Sequence, residues 1–285
     1  MNLCKNVARS LILICLLGMP VFCLELDFKL GGGYAHLGLE NINQGIASWA
    51  EWRKKEAEEN KNWLYLGQNI SSLHSGFQFE GEILLSFSSR LGISLGMGYL
   101  FGDLKEKDTE VLVQRPTEVL SQIYPVTASA YPLVLSAYYF FPLSRKIHIY
   151  ARGGGGTAWA KYVYKEAKKL ESVENYNYFL SGRASARGPI LLGGIGFVYE
   201  TDIGVRFFVE GLMKKAKIEG FSGVNELEEE GTLYHFEEYI PDLDFWQSKN
   251  EIRAEKPSGP TYQSVSEALV DFSGFSVKIG FIIRF

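Results

Sequence analysis

Residues 275–285, at the end of the chain, read FSVKIGFIIRF, and their side chains alternate between two kinds. Large apolar side chains occupy every second position, namely Phe275, Val277, Ile279, Phe281, Ile283 and Phe285. Small or charged side chains occupy most of the positions between them, namely Ser276, Lys278, Gly280 and Arg284. Because successive side chains of a strand point to opposite sides, this alternation predicts a β-strand with one strongly apolar face.

The same alternation occurs in several earlier stretches of the chain. In residues 75–87 the apolar face carries Phe77, Phe79, Ile83, Leu85 and Phe87, and Leu84 is the one large apolar residue on the other face. Residues 91–101 and 131–141 repeat the pattern. In all, the sequence predicts eight strands at about residues 25–39, 75–87, 91–103, 129–141, 147–163, 184–199, 205–218 and 270–285.

The predicted strands are too long, and their faces too unequal, for an ordinary soluble sheet. Strands of soluble proteins usually have about 5–6 residues, whereas a tilted strand that crosses a membrane needs about 9–11. The bulky aromatic and aliphatic residues share one face, and glycine, serine and charged residues share the other. A narrow barrel in lipid has this arrangement, with its apolar face outward.

The connections between the predicted strands alternate between short and long. Those at 88–90, 142–146 and 200–204 have three to five residues. Those at 40–74, 104–128, 164–183 and 219–269 have 20 or more. Short periplasmic turns and long extracellular loops are typical of an up-and-down transmembrane β-barrel. We therefore expect an all-β, antiparallel barrel of eight strands, with ten as the alternative because the last connection is so long.

Aromatic residues fall at both ends of the predicted apolar faces. The long-loop ends carry Tyr34, Tyr99, Phe101, Tyr131 and Trp159. The short-turn ends carry Phe87, Tyr139, Phe141, Phe197, Tyr199 and Phe285. Two aromatic girdles at headgroup depth are expected from this distribution.

Residues 1–23 are predicted to be a secretory signal peptide. Lys5 and Arg9 precede an apolar run that ends near Met19 and is too short to span a bilayer. Cleavage is expected after Cys23, which leaves residues 24–285 as the barrel domain. All three cysteines of the chain lie in the removed segment, so no disulfide framework is expected. The alternatives are a retained anchor or an acylated Cys23.

The amino-acid composition excludes further classes of protein. The 285-residue chain is 46% hydrophobic and 14% aromatic, which excludes a disordered chain. Its net charge of -4 provides no basic surface for nucleic acid. We expect no cofactor.

The ending VKIGFIIRF resembles the C-terminal signature of bacterial outer-membrane β-barrels. The whole predicted barrel is similar to the small eight-stranded class that includes the OmpA membrane domain, OmpX and OmpW. The resemblance implies location in the bacterial outer membrane, contact with its lipid, and recognition by the barrel-assembly machinery. The residues that would carry this assembly signal are Ile279, Phe281, Ile283 and Phe285.

Charged residues on the predicted inward face are the main candidates for a functional site. An eight-stranded barrel is only wide enough for side chains to fill it, so inward charges must pair or stay hydrated. We expect a mixed-charge network that closes the lumen, formed by Glu80, Glu82, Arg152, Arg206 and Lys278. A pore whose charge pairs switch is the alternative. Further inward positions are Asp27, Lys29, His148, Glu210, Lys214 and Arg284.

Other motifs give only weak indications of a phosphate-binding or catalytic site. Gly153–Gly156 lacks the Lys-Ser/Thr of a phosphate-binding loop, and glycines within strands more often permit close contacts. His74 adjoins Ser75, but no acid is placed to complete a catalytic triad, and no motif of the barrel lipases or proteases is present. No catalytic residue and no metal site are predicted.

The long loops are candidates for surface contacts. Ser48 and Glu51 fit a capping box, which predicts a helix that begins at Ser48, with Trp49, Trp52 and Trp63 packing on the barrel rim. Residues 219–269 contain twelve acidic residues and an aromatic stretch at 234–246, which predicts a fold over the mouth or a hairpin. The expected function is a non-enzymatic role in surface interaction or envelope integrity, with a possible extracellular partner. The alternatives are a narrow channel for small or apolar solutes, or a barrel enzyme acting on lipid or peptide.

Overall fold

The computed structural model describes residues 25–170 and 176–284. The expected signal peptide and Phe285 lie outside these residues. Two single-turn 3-10 helices cover Glu106–Asp108 and Pro241–Leu243, and the α-helix α1 covers Glu40–Glu59. The strands are β1 (Glu25–His36), β2 (Leu64–Ile70), β3 (Ser75–Ser86), β4 (Leu91–Leu104), β5 (Thr109–Gln114), β6 (Val119–Ile123), β7 (Val126–Pro142), β8 (Ile147–Leu170), β9 (Asn177–Glu200), β10 (Val205–Lys215), β11 (Lys217–Ile218), β12 (Ser222–Asn225), β13 (Glu230–Ile240), β14 (Phe245–Arg253), β15 (Tyr262–Glu267), β16 (Val270–Asp271) and β17 (Gly274–Arg284).

Eight of these strands form a closed antiparallel barrel. The ring order is β1, β3, β4, β7, β8, β9, β10 and β17, and β17 pairs with β1 to close it. The predicted fold class is therefore confirmed, and within the described residues the ring has eight strands rather than ten. Each short connection predicted from the sequence joins two neighbouring barrel strands.

Apolar side chains cover the outside of the barrel. Leu95 and Leu135 face each other on β4 and β7 and are 53% and 61% exposed. Inward side chains alternate with them, and Ser94 and Ser136 on the same strands are buried. The outside thus carries the face that a soluble barrel would bury.

Aromatic rings border this apolar surface on both sides. On the long-loop side the rings of Tyr99 and Tyr131 lie 4.9 Å apart, and on the short-turn side those of Tyr139 and Phe141 lie 4.5 Å apart. Tyr131 and Phe141 are ten residues apart on β7, about 34 Å along a strand. At a strand tilt of about 40° this corresponds to about 26 Å across the barrel wall, close to the ~25 Å apolar band of outer-membrane barrels.

A folded cap continues the barrel on the long-loop side. We define the cap as α1, β2, β5, β6, β12 to β15 and the paired ends of β8 and β9 at 164–170 and 177–183. One wing of its sheet runs β8, β6, β5, β2, and the other runs β9, β12, β13, β14. The loop predicted at 164–183 was too long, because both strands continue to 24 residues with these extra partners.

Helix α1 is the helical part of this cap, and it begins earlier than predicted. It starts at Glu40 rather than at Ser48, so the predicted capping box is wrong. The Ser48 hydroxyl instead accepts a hydrogen bond of 2.8 Å from the backbone N–H of Ser248 on β14. Trp49 is buried, and its indole N–H donates to Glu166 at 2.7 Å. This residue therefore ties the helix to the end of β8.

The acidic segment at 219–269 forms strands rather than an irregular loop. Its aromatic stretch makes the β13–β14 hairpin, joined by a left-handed turn at Asp244. Strand β14 packs against α1. In the parts of the chain that the structure describes, no helix is both long and apolar enough to cross a lipid bilayer.

Candidate functional site

Six charged side chains from five barrel strands converge in the middle of the lumen. All six are at most 8% exposed. Three are acidic and three are basic, so their formal charges cancel. We call this group the lumen cluster; its members are Lys29 on β1, Glu80 and Glu82 on β3, Arg152 on β8, Glu210 on β10 and Lys278 on β17.

Arg152 connects the three carboxylates. Its Nη2 lies 2.6 Å from Glu80 Oε1, and its Nη1 lies 3.0 Å from Glu82 Oε1. The same Nη1 lies 3.4 Å from Glu210 Oε2. One guanidinium on β8 thus links β3 to β10 across the lumen.

The two lysines complete the charge pairing. Lys29 Nζ lies 3.2 Å from Glu82 Oε1 and 3.0 Å from Glu210 Oε1. Lys278 Nζ pairs with Glu80 and lies 2.8 Å from Glu210 Oε2. Every carboxylate therefore contacts at least two cations, which offsets the cost of burying charge in so dry a site.

Hydroxyl groups donate further hydrogen bonds to two of the three carboxylates, Glu82 and Glu210. Tyr138 and Ser94 donate to Glu82 Oε2 at 2.6 and 2.7 Å. The Tyr150 hydroxyl donates to Glu210 Oε1 at 3.0 Å. These bonds fix the orientation of the carboxylates, because each acceptor is held from two directions.

Two glycines leave the space that this cluster occupies. A Cβ at Gly96 would lie 2.8 Å from Glu82 Cγ, and a Cβ at Gly196 would lie 2.2 Å from the ring of Tyr150. Tyr150 and Gly196 are direct neighbours on β8 and β9. The inward glycines of these strands therefore serve packing of large side chains inside the barrel.

Apolar layers close the lumen on both sides of the cluster. The layer on the short-turn side contains Leu84, Tyr138, Phe140, Tyr150, Val198, Phe208 and Ile282. Lys29 lies over the ring of Phe208, with its Nζ 4.5 Å from the ring centre. The layer toward the cap includes Leu100, Val134 and Ile190 and continues into the core beneath α1. Packed apolar side chains therefore close the lumen on both sides of the cluster, in addition to the paired charges that the sequence predicts.

Four of the five residues predicted for the network lie in the lumen cluster. Arg206 is the exception, and the structure corrects that assignment. It lies four residues from Glu210 along β10, about 13 Å away, and its Nη2 pairs with Asp27 at 2.5 Å near the short turns. Arg284 also approaches Asp27, at 3.7 Å.

The alternation in the sequence predicts that Lys29 and Glu210 face inward, but the predicted charge network does not include them. Alternation was the signal for their direction, since Lys29 lies between Phe28 and Leu30. Their pairing depends on strand register, in which Lys29 lies opposite Glu82 and Glu210 lies opposite Lys278.

The described residues of the expected assembly signal lie on the outside of β17. Ile279 is 64% exposed, and Phe281 and Ile283 are each 36% exposed. Phe281 lies opposite Leu30 on β1 and Phe207 on β10.

The three carboxylates of the lumen cluster lie close enough to hold a metal ion. Oxygen atoms of Glu80, Glu82 and Glu210 all lie within 4.8 Å of one another. Their charges are already balanced by Lys29, Arg152 and Lys278, so a divalent cation would have to displace protein cations. The three carboxylates therefore pair with cations of the protein itself.

The histidines that the sequence placed near the rim do lie together. The rings of His36 and His74 stack at 5.9 Å, and His74 Nδ1 lies 3.4 Å from the amide nitrogen of Asn43. Asn43 also binds the backbone of Leu73 through its side-chain oxygen at 2.6 Å. These contacts anchor the start of α1 to the strand-connecting segment below it.

Neither a known protein family nor a curated protein matches the sequence. Among solved structures, the chain is similar to the outer membrane protein OprG from Pseudomonas aeruginosa, with 14% sequence identity and a TM-score of 0.35. That match covers 91% of this chain and 95% of OprG. Because identity and TM-score are both low, we infer nothing about function from this similarity.

Proposed function

We propose that the chain is an integral protein of the bacterial outer membrane whose barrel is a closed, non-enzymatic anchor for its cap. The observation that carries this proposal is the inverted distribution of polarity in the barrel. Charged side chains lie in the lumen, while leucine, isoleucine and phenylalanine side chains face outward. In water such a surface would be an extensive apolar patch, whereas in lipid it is the stable arrangement.

The filled lumen supports an anchoring role over a channel. Six paired charges lie between two apolar layers, and each of the three cations contacts carboxylates from two different strands. Opening a continuous water path would require several of these buried pairs to separate. Leaving one charge unpaired in such a site costs about 3–5 kcal/mol.

The cap supports a role at the cell surface, in surface interaction or envelope integrity. It lies on the side of the long connections, which in outer-membrane barrels is the extracellular side. Its helix and hairpin form a defined surface in which Trp49 and Phe236 are buried, and the core beneath the helix is continuous with the apolar layer on the cap side of the lumen. We infer that lipid surrounds the barrel, that the assembly machinery inserts it, and that an extracellular partner would meet the cap.

Reconstitution of the purified protein tests this proposal. Protein folded into lipid vesicles should be protected from protease over the barrel strands and should give no steady single-channel current in planar bilayers. A large, steady conductance in the wild-type protein would overturn the closed barrel and make a channel the better description. Failure to insert into vesicles would overturn the membrane assignment.

A separate assay tests the non-enzymatic part of the proposal. The reconstituted protein is incubated with phospholipid and with lipid A, and products are compared with those from protein-free vesicles. We expect no difference. Release of fatty acid that depends on the protein would contradict this part while leaving the membrane assignment intact.

A further inference from the structure

A pocket of about 400 Å³ opens in the cap, well away from the lumen cluster. It lies between α1, the end of β8, strand β14 and the turn between β12 and β13. Its size falls within the ~300–1,000 Å³ range of small-molecule sites. Trp49 and Trp52 line it from the helix, and Tyr124 and Tyr164 line it from the barrel side.

Two buried polar groups in the wall of this pocket have no hydrogen-bond partner among the described residues. Gln247 on β14 is only 2% exposed, and its Oε1 makes no hydrogen bond. The hydroxyl of the adjacent Ser248, which also lines the pocket, is likewise buried without a partner. Because burying an unpaired acceptor costs about 1–3 kcal/mol, such a group points to a donor that binds there.

The charges of the residues that line the pocket indicate whether the bound donor group is positively or negatively charged. Lys249 pairs at 2.6 Å with Glu238, which lies outside the lining, and Arg253 Nη2 pairs at 2.6 Å with Glu251 of the lining. Glu166 pairs with Arg53, which lies outside the lining. Glu226 makes no ion pair with any described residue. The lining therefore has uncompensated negative charge beside an unused acceptor.

The aromatic walls complete a site suited to an organic cation. The rings of Tyr124 and Tyr164 lie 6.2 Å apart and nearly parallel, and Trp49 lies 5.6 Å from Tyr124. Burial raises the pKa of the Tyr124 phenol well above its usual value, so this side chain stays neutral. Aromatic faces attract cations and also cover the apolar part of a ligand.

We propose that this pocket binds a small organic ammonium ion, a protonated amine attached to an apolar or aromatic group. Gln247 Oε1 accepts a hydrogen bond from the ammonium group, Glu226 supplies the countercharge, and the tryptophan and tyrosine rings enclose the apolar part. This binding activity goes beyond the anchoring role, and it does not depend on whether the barrel conducts.

The test compares two probes of nearly equal shape, phenethylammonium and 2-phenylethanol. Binding to the full chain in detergent micelles is measured by calorimetry and by tryptophan fluorescence. We expect phenethylammonium to bind with a dissociation constant below about 1 mM and the alcohol at least about tenfold more weakly. Equal affinity for the two probes, or no binding of phenethylammonium up to about 10 mM, would overturn the proposal.

Three variants locate the binding. Gln247→Leu and Glu226→Gln should each weaken phenethylammonium binding by about tenfold, because each removes one interaction with the cation. Asp242→Asn removes an exposed acidic charge of the same segment outside the pocket and should leave the affinity unchanged. Equal losses in Glu226→Gln and Asp242→Asn would mean that general electrostatic attraction is responsible, and the proposed site would be wrong.

Folding of the variants is checked separately from binding. Glu226 is exposed and pairs with no charged group in the described part of the chain, so Glu226→Gln should keep the wild-type circular dichroism and thermal unfolding. If Gln247→Leu is poorly folded, Glu226→Gln alone decides the outcome. Wild-type affinity in a folded Glu226→Gln variant would contradict the assigned countercharge.

Discussion

At the scale of single residues, the pairing in the lumen cluster predicts a large change in the free energy of unfolding when one member is removed. Glu82 contacts Lys29 at 3.2 Å and Arg152 at 3.0 Å and is 1% exposed. Glu82→Ala leaves both cations short of a partner, and we expect it to lower the free energy of unfolding by about 3–5 kcal/mol. Urea unfolding of the protein in lipid vesicles measures this loss. Asp202→Ala, which removes an exposed partner of Lys146, is the control and should unfold like the wild type.

A double-mutant cycle shows whether the loss arises from the pairing itself. Lys29→Met removes the cation that Glu82→Ala leaves behind, so the two changes together should cost less than the sum of the single losses. The free energies of all four proteins come from the same unfolding assay. A coupling free energy indistinguishable from zero would show that Lys29 and Glu82 do not interact as described.

The sequence predicted the direction of these side chains but not all of their partners. Period-two alternation is enough to place Glu80, Glu82, Arg152 and Lys278 inside, because each lies between outward apolar residues. Partner choice depends on the stagger of neighbouring strands, which no local pattern encodes. For this reason Arg206 was assigned to the cluster although it lies near the short turns.

At the scale of single elements, strand orientation is open to a direct test. Leu95 on β4 and Leu135 on β7 lie opposite each other in the middle of the outward face. Leu95→Arg or Leu135→Arg should cost about 2–4 kcal/mol, because the cation would be placed near the bilayer midplane. Leu227→Arg makes the same chemical change at a 70% exposed position of the cap and should have little effect on unfolding. Equal costs at all three positions would contradict the membrane register.

A second prediction at the scale of single elements concerns the role of the last strand in assembly. Strand β17 closes the ring by pairing with both β1 and β10, and Phe281 and Ile283 lie on its outward face. Replacing both with serine should reduce the amount of folded, heat-modifiable protein in the outer membrane. The matched control is the double change of Phe77 and Phe79 to serine on β3, which alters the outward face without touching the final strand. A normal yield of the β17 variant would contradict its expected role in assembly.

Six of the eight barrel strands were predictable to within four residues, whereas β8 and β9 run seven residues beyond their predicted ends, and the elements of the cap were not predictable. Alternation in a membrane strand is regular because lipid and lumen demand opposite polarity at every step. The cap has no such constraint, and its helix boundary was set by tertiary contact. Ser48 looked like a helix cap in the sequence, yet its hydroxyl binds the backbone of Ser248, 200 residues later.

At the scale of the whole molecule, the barrel and the cap are two structurally different parts. The barrel provides an outward apolar belt and a lumen closed by neutralised charge. The cap extends the longest strands, β8 and β9, into a surface that carries its own pocket. In the function proposed above, the barrel wall provides anchorage and the cap provides recognition.

The measurement that tests this account most directly is single-cysteine scanning along β4 in lipid vesicles. All three cysteines of the chain lie in residues 1–23, so a chain that begins at residue 24 offers a cysteine-free background. A fluorophore is attached in turn to cysteines placed at the outward positions Ile93, Leu95 and Met97 of β4 and, as the control, at exposed Leu227 of the cap, and brominated acyl chains serve as the quencher. We expect strong quenching at 93, 95 and 97 and weak quenching at 227. Weak quenching at the three β4 positions, or equal quenching at all four positions, would contradict the membrane-spanning barrel.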